Sequence, residues 1–246
     1  MNAAQGSGER WAQSHEVMRL AATLTAAVLC ACSGSFGDSA REAFHQTLAV
    51  GAGTVVHVQN VAGTVHVDTW AKPFVDVAGT KYAHDADALR NIQIGVRKEG
   101  ADVFVETTYG GGMHAGGVRY RLTVPADASL QIRNIAGAVE LAGVSGNVDV
   151  ETQAGEITAT VGRVTGNRSI DLHATTGAVT LTIAPGSDAT VSATSTVGAF
   201  ASDVPGVSQR RENLVGASGS GTLGAGSARI HITTTTGAIA LRQRAQ

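Results

Sequence analysis

Cysteine, proline and aromatic residues are scarce in this 246-residue sequence, and neither sign of charge predominates. The two cysteines, Cys30 and Cys32, stand one residue apart near the start and none follows, which excludes a disulfide framework in the body of the chain. Aromatic residues make up 4%, and Gly 31 stands against Pro 4. With Val, Thr and Ala abundant, that balance points to many short strands joined by tight turns rather than to helices packed on a large core. A formal net charge of −2 and a pI near 6.4 give no electrostatic case for nucleic acid. The basic pairs Arg97-Lys98 and Arg210-Arg211 read as solvated surface. No G-x-S-x-G elbow, H-E-x-x-H or P-loop occurs, which removes the commoner hydrolase and nucleotidase chemistries.

Leu20–Leu29 is uncharged and rich in Ala and Leu, follows Arg19 and precedes small residues, the order of an export signal. It is too short to span a bilayer as a helix. A start at Met18 would make Met18-Arg19 the positive region. Leu29-Cys30-Ala31-Cys32 resembles the lipobox of bacterial lipoproteins, in which a small residue precedes the acylated cysteine. Leu29 fits that place poorly for Cys30, so the resemblance implies Cys32 as the lipidated residue, with Cys30 removed with the signal. A mature chain without a free thiol suits an oxidising compartment, and Ser33 resembles the residue that directs such proteins to the outer membrane. A plain secretory signal is the alternative. The expected organisation is an export signal over 1–31, a short tether over 32–45 and a single domain over 46–246.

That domain is dominated by strict alternation of apolar and polar residues opened by glycine, as in Gly137-Ala-Val-Glu-Leu141, Gly146-Asn-Val-Asp-Val150, Gly155-Glu-Ile-Thr-Ala159 and Gly177-Ala-Val-Thr-Leu181. Gly63-Thr-Val-His-Val67 and Gly237-Ala-Ile-Ala-Leu241 repeat the pattern, and 166–172 is a degenerate copy. Alternation buries one face and wets the other, while glycine suits a turn with positive φ or a close backbone approach. Two strands per coil give a period of about twenty residues, and such coils stack on a narrow aliphatic core. The expected fold is all-β, a β-solenoid, with a β-sandwich of separate hairpins as the alternative. In the first half, Val55–Val58 and Val65–Val67 read as strands, 82–91 as a helical turn, and 92–96 with 103–107 as a hairpin about Lys98-Glu99-Gly100. Gly110–Gly117 reads as a loop and Val118–Val124 as a strand ended by Pro125.

The stretch "YRLTVPADASLQIRNIAGAVELAGVSGNVDVETQAGEITA" and the ending "GSGTLGAGSARIHITTTTGAIALRQ" resemble the bacterial putative-adhesin family of β-strand-repeat proteins, a domain of unknown function. The resemblance implies a β-solenoid-like fold and an envelope location, and it supplies no catalytic residues.

Several residues invite chemistry. Gly219–Gly224 matches G-x-G-x-x-G, yet a strand rather than a helix follows, so a glycine-rich bend between coils is expected instead of a nucleotide site. His57 and His66 could project side by side from adjacent strands, but two ligands without a placed third carboxylate or histidine do not make a metal site, so exposed strand residues are expected. Asp149 and Asp171 could stack on one face, with Glu140, Glu151 and Glu156 also available to a glycosidase, and His173 could share the face of Asp171. Thr152, Thr158, Thr160, Thr175, Thr180, Thr182 and Thr233–Thr236 read as an extended outer hydroxyl array, a feature that β-propensity alone also produces. Trp70 is expected to pack over a solenoid end.

These features describe a non-enzymatic, lipid-anchored protein of the cell envelope, an adhesin or a structural and binding module at the outer membrane. The expected partners are the membrane through Cys32 and a glycan or envelope protein, with no nucleic acid, cofactor, metal or catalytic residue. The alternatives are an envelope polysaccharide hydrolase or lyase on a β-helix scaffold and an accessory of an envelope-stress pathway.

Overall fold

The computed structural model describes residues 40–110, 116–212 and 215–244. Met18, Cys30, Cys32 and the export signal lie outside the described residues. In chain order the elements are β1 (Ala40–Ala49), β2 (Val55–Ala62), β3 (Val65–Trp70), β4 (Phe74–Ala83), α1 (Ala86–Arg90), β5 (Ile92–Glu99), β6 (Asp102–Tyr109) and β7 (Gly116–Pro125). The clearest repeats follow as β8 (Ser129–Ala136), β9 (Val139–Val144), β10 (Val148–Ala154), β11 (Ile157–Val161), β12 (Ser169–Thr176) and β13 (Val179–Ile183). The last part contains β14 (Ala189–Val197), β15 (Phe200–Ser202), β16 (Val207–Glu212), β17 (Gly216–Leu223), β18 (Ala228–Thr236) and β19 (Ile239–Gln243).

The strands form two facing sheets. The ten-stranded sheet has the order β16-β17-β14-β18-β12-β10-β8-β2-β6-β5, and the nine-stranded sheet β1-β4-β7-β3-β9-β11-β13-β19-β15. Each coil sends one strand to each sheet, and neighbouring coils pair in parallel, as β10 does with β8 and β12. This is a β-solenoid rather than a sandwich of hairpins. The hairpins sit at its ends, where β4 pairs antiparallel with β7 and β1 with β4, and where β17 pairs antiparallel with β14 and β16 with β17. The β5–β6 hairpin and the turn of helix α1 form where the sequence places them. β1 begins at Ala40, inside the stretch assigned to a tether, because its ten residues complete a ladder along β4.

The stacking order departs from the chain order at both ends. The β6–β7 coil lies outside the earlier β2–β3 coil, and the final β18–β19 coil slots between β12–β13 and β14–β15. Inside, rows of equivalent positions fill the narrow space between the sheets. Val56, Leu130, Val148, Ile170, Ile230 and Val191 form one row, and Val65, Val139, Ile157, Val179 and Ile239 face them from the other sheet. Each such side chain removed from water contributes about 1.5–3 kcal/mol.

Where a coil passes from the ten-stranded to the nine-stranded sheet it turns at a glycine, and these glycines stack. A Cβ on Gly155 would lie 2.1 Å from the Gly137 oxygen, and one on Gly177 would lie 1.8 Å from the Gly155 oxygen. The backbone closes the corner by donating from each glycine N–H to the next coil, Gly137 to the Ala154 carbonyl at 2.8 Å and Gly155 to that of Thr176 at 2.9 Å.

A buried polar spine lines the inside of this corner and satisfies its carbonyls. Tyr120 and Thr107 share a 2.7 Å hydroxyl contact, Thr107 donates to Asn60 Oδ1, and Asn60 Nδ2 donates to Asn134 Oδ1. Asn134 Nδ2 donates to the Gly137 carbonyl at 2.8 Å, Thr234 to that of Gly177 at 3.1 Å and Ser195 to that of Gly237 at 2.8 Å. Thr152 occupies the same row, but its hydroxyl has no partner among the described residues. The carbonyl it would reach by analogy with Thr234, that of Gly137, already accepts from Asn134.

Two further expectations change. Of Gly219–Gly224, all but Gly224 belongs to strand β17 and Gly224 opens the turn after it; Gly219 lies under Phe200 and Gly221 against the Gly206 backbone, contacts that any side chain would obstruct. Trp70 ends β3 within the stack rather than capping it; its Nε1 donates to the Phe74 carbonyl at 2.8 Å and Lys72 lies 4.8 Å above its ring, so it braces the turn into β4.

Candidate functional site

The alternation that aims Val, Ile and Leu inward sends the intervening side chains out, and the parallel register aligns them in rows across the ten-stranded sheet. One row runs Arg97, Phe104, His57, Gln131, Asp149, Asp171, His231, Ser192, Ser220 and Ser208. Beside it run Glu106, Gln59, Arg133, Glu151, His173, Thr233, Thr194, Ser218 and Arg210. The face therefore has two halves: rings and charges from β5 to β12, and chiefly hydroxyls from β18 to β16.

In the charged half, the Arg97 guanidinium lies 4.4 Å from the centre of the Phe104 ring, and the His57 ring stacks on Phe104 at 4.5 Å. Side-chain hydrogen bonds to Glu99, then Glu106, raise the pKa of Arg97. Arg133 pairs with Glu151 and lies 3.9 Å from Asp149, while Ser169 donates to Asp171. These exposed pairs organise the surface and add little to stability. His173 Nδ1 lies 2.6 Å from Thr233 Oγ1 and joins the two halves.

At the rim where β12, β18 and β14 begin, the face dips into a groove of about 580 Å³. Arg168, Ser169, Thr190, Ser192, Ser227, Arg229 and His231 line it, and among the described residues no carboxylate does. Two fixed loops shape the groove. Half-buried Arg168 donates to the carbonyls of Gly146 at 2.9 Å and Arg163 at 2.9 Å, and desolvation lowers its pKa. Asp188 accepts from the Ser227 N–H at 3.1 Å and from that of Gly226; these bonds, Ser227's foremost, hold its carboxyl below the usual range.

The predicted residues separate into those brought together and those kept apart. Asp149 and Asp171 are register neighbours, as are Asp171 and His231. His57 and His66 are not side by side: the glycine corner between β2 and β3 sends them to the outer faces of different sheets. His66 instead meets Glu140 at 2.9 Å and Asp68 at 3.0 Å. Among the described residues no group of three or more His, Cys, Asp or Glu is arranged to hold a metal. Thr152 and Thr234 are buried in the corner spine rather than exposed. Thr158 and Thr180, with Thr160 and Thr182, pair on the outer face of the nine-stranded sheet, whereas Thr175, Thr233 and Thr235 belong to the other. The hydroxyls of β14 and β17 were missed, although the alternation Thr190-Val-Ser-Ala-Thr-Ser-Thr196 carries the signal.

The fold defines an open two-sheet β-solenoid of parallel coils with antiparallel ends. Within that class, residues 124–242 match the family model of Toastrack DUF4097, a domain of unknown function; the match takes in the coils from β8 onward. No curated protein matches the chain. The putative cell adhesion protein of Clostridium sporogenes is similar with a TM-score of 0.58 and 12% identity, over 84% of this chain and 100% of its own. The putative adhesin of Bacteroides fragilis aligns over 82% of this chain and 97% of its own at 12% identity and a TM-score of 0.28. That of Parabacteroides distasonis aligns over 80% and 96% at 8% identity and a TM-score of 0.26. At these identities the likeness concerns the fold alone, and of the three the Clostridium structure supports it.

Proposed function

We propose that this chain is a non-enzymatic binding module of the bacterial cell envelope, held at the outer membrane by a lipid on Cys32 and engaging its partner through the outer face of the ten-stranded sheet. The observation that carries this reading is the face itself, a rigid surface on which Ser192, Thr194, Ser218, Ser220 and Thr233 stand in register. Regular hydroxyls on a stiff scaffold supply many hydrogen-bonding positions with little ordering cost on binding. The name of the Clostridium structure, a putative cell adhesion protein, agrees with an adhesive role.

A hydrolase or lyase would draw on Asp149 and Asp171. Both take part in surface interactions, with Arg133 and Ser169 respectively, on an open face. An accessory role in an envelope-stress pathway would use the same face for a protein partner.

The test uses the full chain in cells. Thr194→Lys with Ser220→Lys should reduce adhesion or envelope binding about ten-fold by obstructing the face, while Thr180→Lys on the other sheet leaves it intact. Unchanged adhesion in the double variant would remove the reading. Cys32→Ser should move the protein from the membrane fraction to the soluble one. Digestion by protease on intact cells would assign the domain to the surface, and protection until lysis would assign it to the periplasm.

A further inference from the structure

The groove at the rim of the ten-stranded sheet differs chemically from the face into which it opens. In a chain whose formal net charge is −2, it gathers Arg168, Arg229 and His231 with no carboxylate in its lining among the described residues. Arg168 is committed to backbone carbonyls and forms a fixed wall. Arg229 and His231 are different. They project from the same side of β18 and are exposed, and their side chains have no hydrogen-bond or ion-pair partner among the described residues; the backbone N–H of Arg229 donates to the Arg168 carbonyl at 2.9 Å. Successive outward positions on a strand lie about 7 Å apart, so the two cationic groups are close enough to address one anionic group or two neighbouring ones. Asp171, next to His231 in register, opposes an anion, but its carboxylate accepts from Ser169 and does not line the groove.

We infer that this groove binds an acidic glycan, with its carboxylate or sulfate on Arg229 and His231 and its hydroxyls on Thr190, Ser192 and the field beyond. The inference rests on the binding-face reading above and assigns it a ligand class. The volume of about 580 Å³ falls within the range of small-ligand sites. Two features favour a sugar polymer over an isolated anion or a lipid headgroup. The groove is open at the side and continues onto Ser192 and Ser220, so a chain can extend from it along a row of hydroxyls. Its exposed lining is polar, with the apolar Ile230 and Ala228 turned into the core, so it presents no side chain for insertion among acyl chains.

The experiment is a titration of the purified full chain, in detergent, with oligogalacturonate, a sulfated oligosaccharide, a neutral galactan of equal length, inorganic phosphate and the water-soluble lipid headgroup glycerol 3-phosphate. At least one of the two acidic oligosaccharides is expected to bind about ten-fold or more tightly than the galactan and phosphate, and to weaken with added salt. Arg229→Gln with His231→Gln should remove that preference, Arg229→Lys should keep most of it, and Arg121→Gln, exposed on the nine-stranded sheet, should leave it unchanged. Thermal melting of each variant verifies the fold. Equal binding by the double variant, no binding of either acidic oligosaccharide, or tighter binding of the soluble headgroup in its place would overturn the assignment. If adhesion depends on Thr194 and Ser220 but not on Arg229 and His231, this site falls and the binding face stands.

Discussion

Gly177 has φ near 147°, and the space where its Cβ would sit is filled by the Gly155 carbonyl of the adjoining coil. Gly166 also has positive φ, at 69°, but nothing lies within 4 Å of its missing Cβ. Gly177→Ala is therefore expected to cost about 3 kcal/mol or more, because two coils must separate. Gly166→Ala should cost about 1–2 kcal/mol, for backbone strain alone. Urea denaturation midpoints separate the two effects, and equal losses would show that close approach is not what the corner requires. The glycine positions were legible because each opens an alternating run. The Asn60–Asn134 pair and the Tyr120–Thr107 contact were not, since they join residues 74 and 13 positions apart with no periodic signature. Thr152 and Thr234 were misread as wet because threonine suits a strand on either face.

Among the elements, β18 and β19 carry the most topological consequence. They end the chain yet lie inside the stack, with β12 and β14 on either side of β18 and β13 and β15 on either side of β19. Deleting residues 228–246 would expose the facing edges of both neighbouring coils and leave β14–β17 without a parallel partner. The truncated chain should lose its single cooperative melting transition and become protease-sensitive across β14–β17. Removal of β1, an edge strand paired only with β4, should retain the transition. A 228–246 deletion that melts like the intact chain would contradict this account. The two-strand coil and its spacing were legible in the repeat. The insertion of the last coil was not, because all coils share one pattern and any could neighbour any other.

At the scale of the molecule, stability should depend on alkaline pH through Tyr120. Burial pushes its phenol up to about 12, against the opposing hydrogen bond with Thr107. The unfolded phenol titrates at about 10, so the native state holds the proton more tightly; that contribution is complete below pH 10 and is lost as pH rises toward 12. A two-unit difference corresponds to about 2–3 kcal/mol. Tyr120→Phe should flatten the fall in stability over that window, leaving the smaller part due to Tyr109, whose phenol burial also raises. An unchanged pH profile in the variant would place the titrating group elsewhere.

The sequence by itself determined that the chain is all-β, that its strands alternate inward and outward, and that glycine turns each coil, because these follow from local sterics and hydrophobic period. Only the tertiary structure decided which coils are neighbours, which threonines are buried, and that Arg229 and His231 share a groove with Ser169 and Ser192. Those facts depend on lateral register between strands distant in the chain, and a period repeated in every coil leaves that register unspecified.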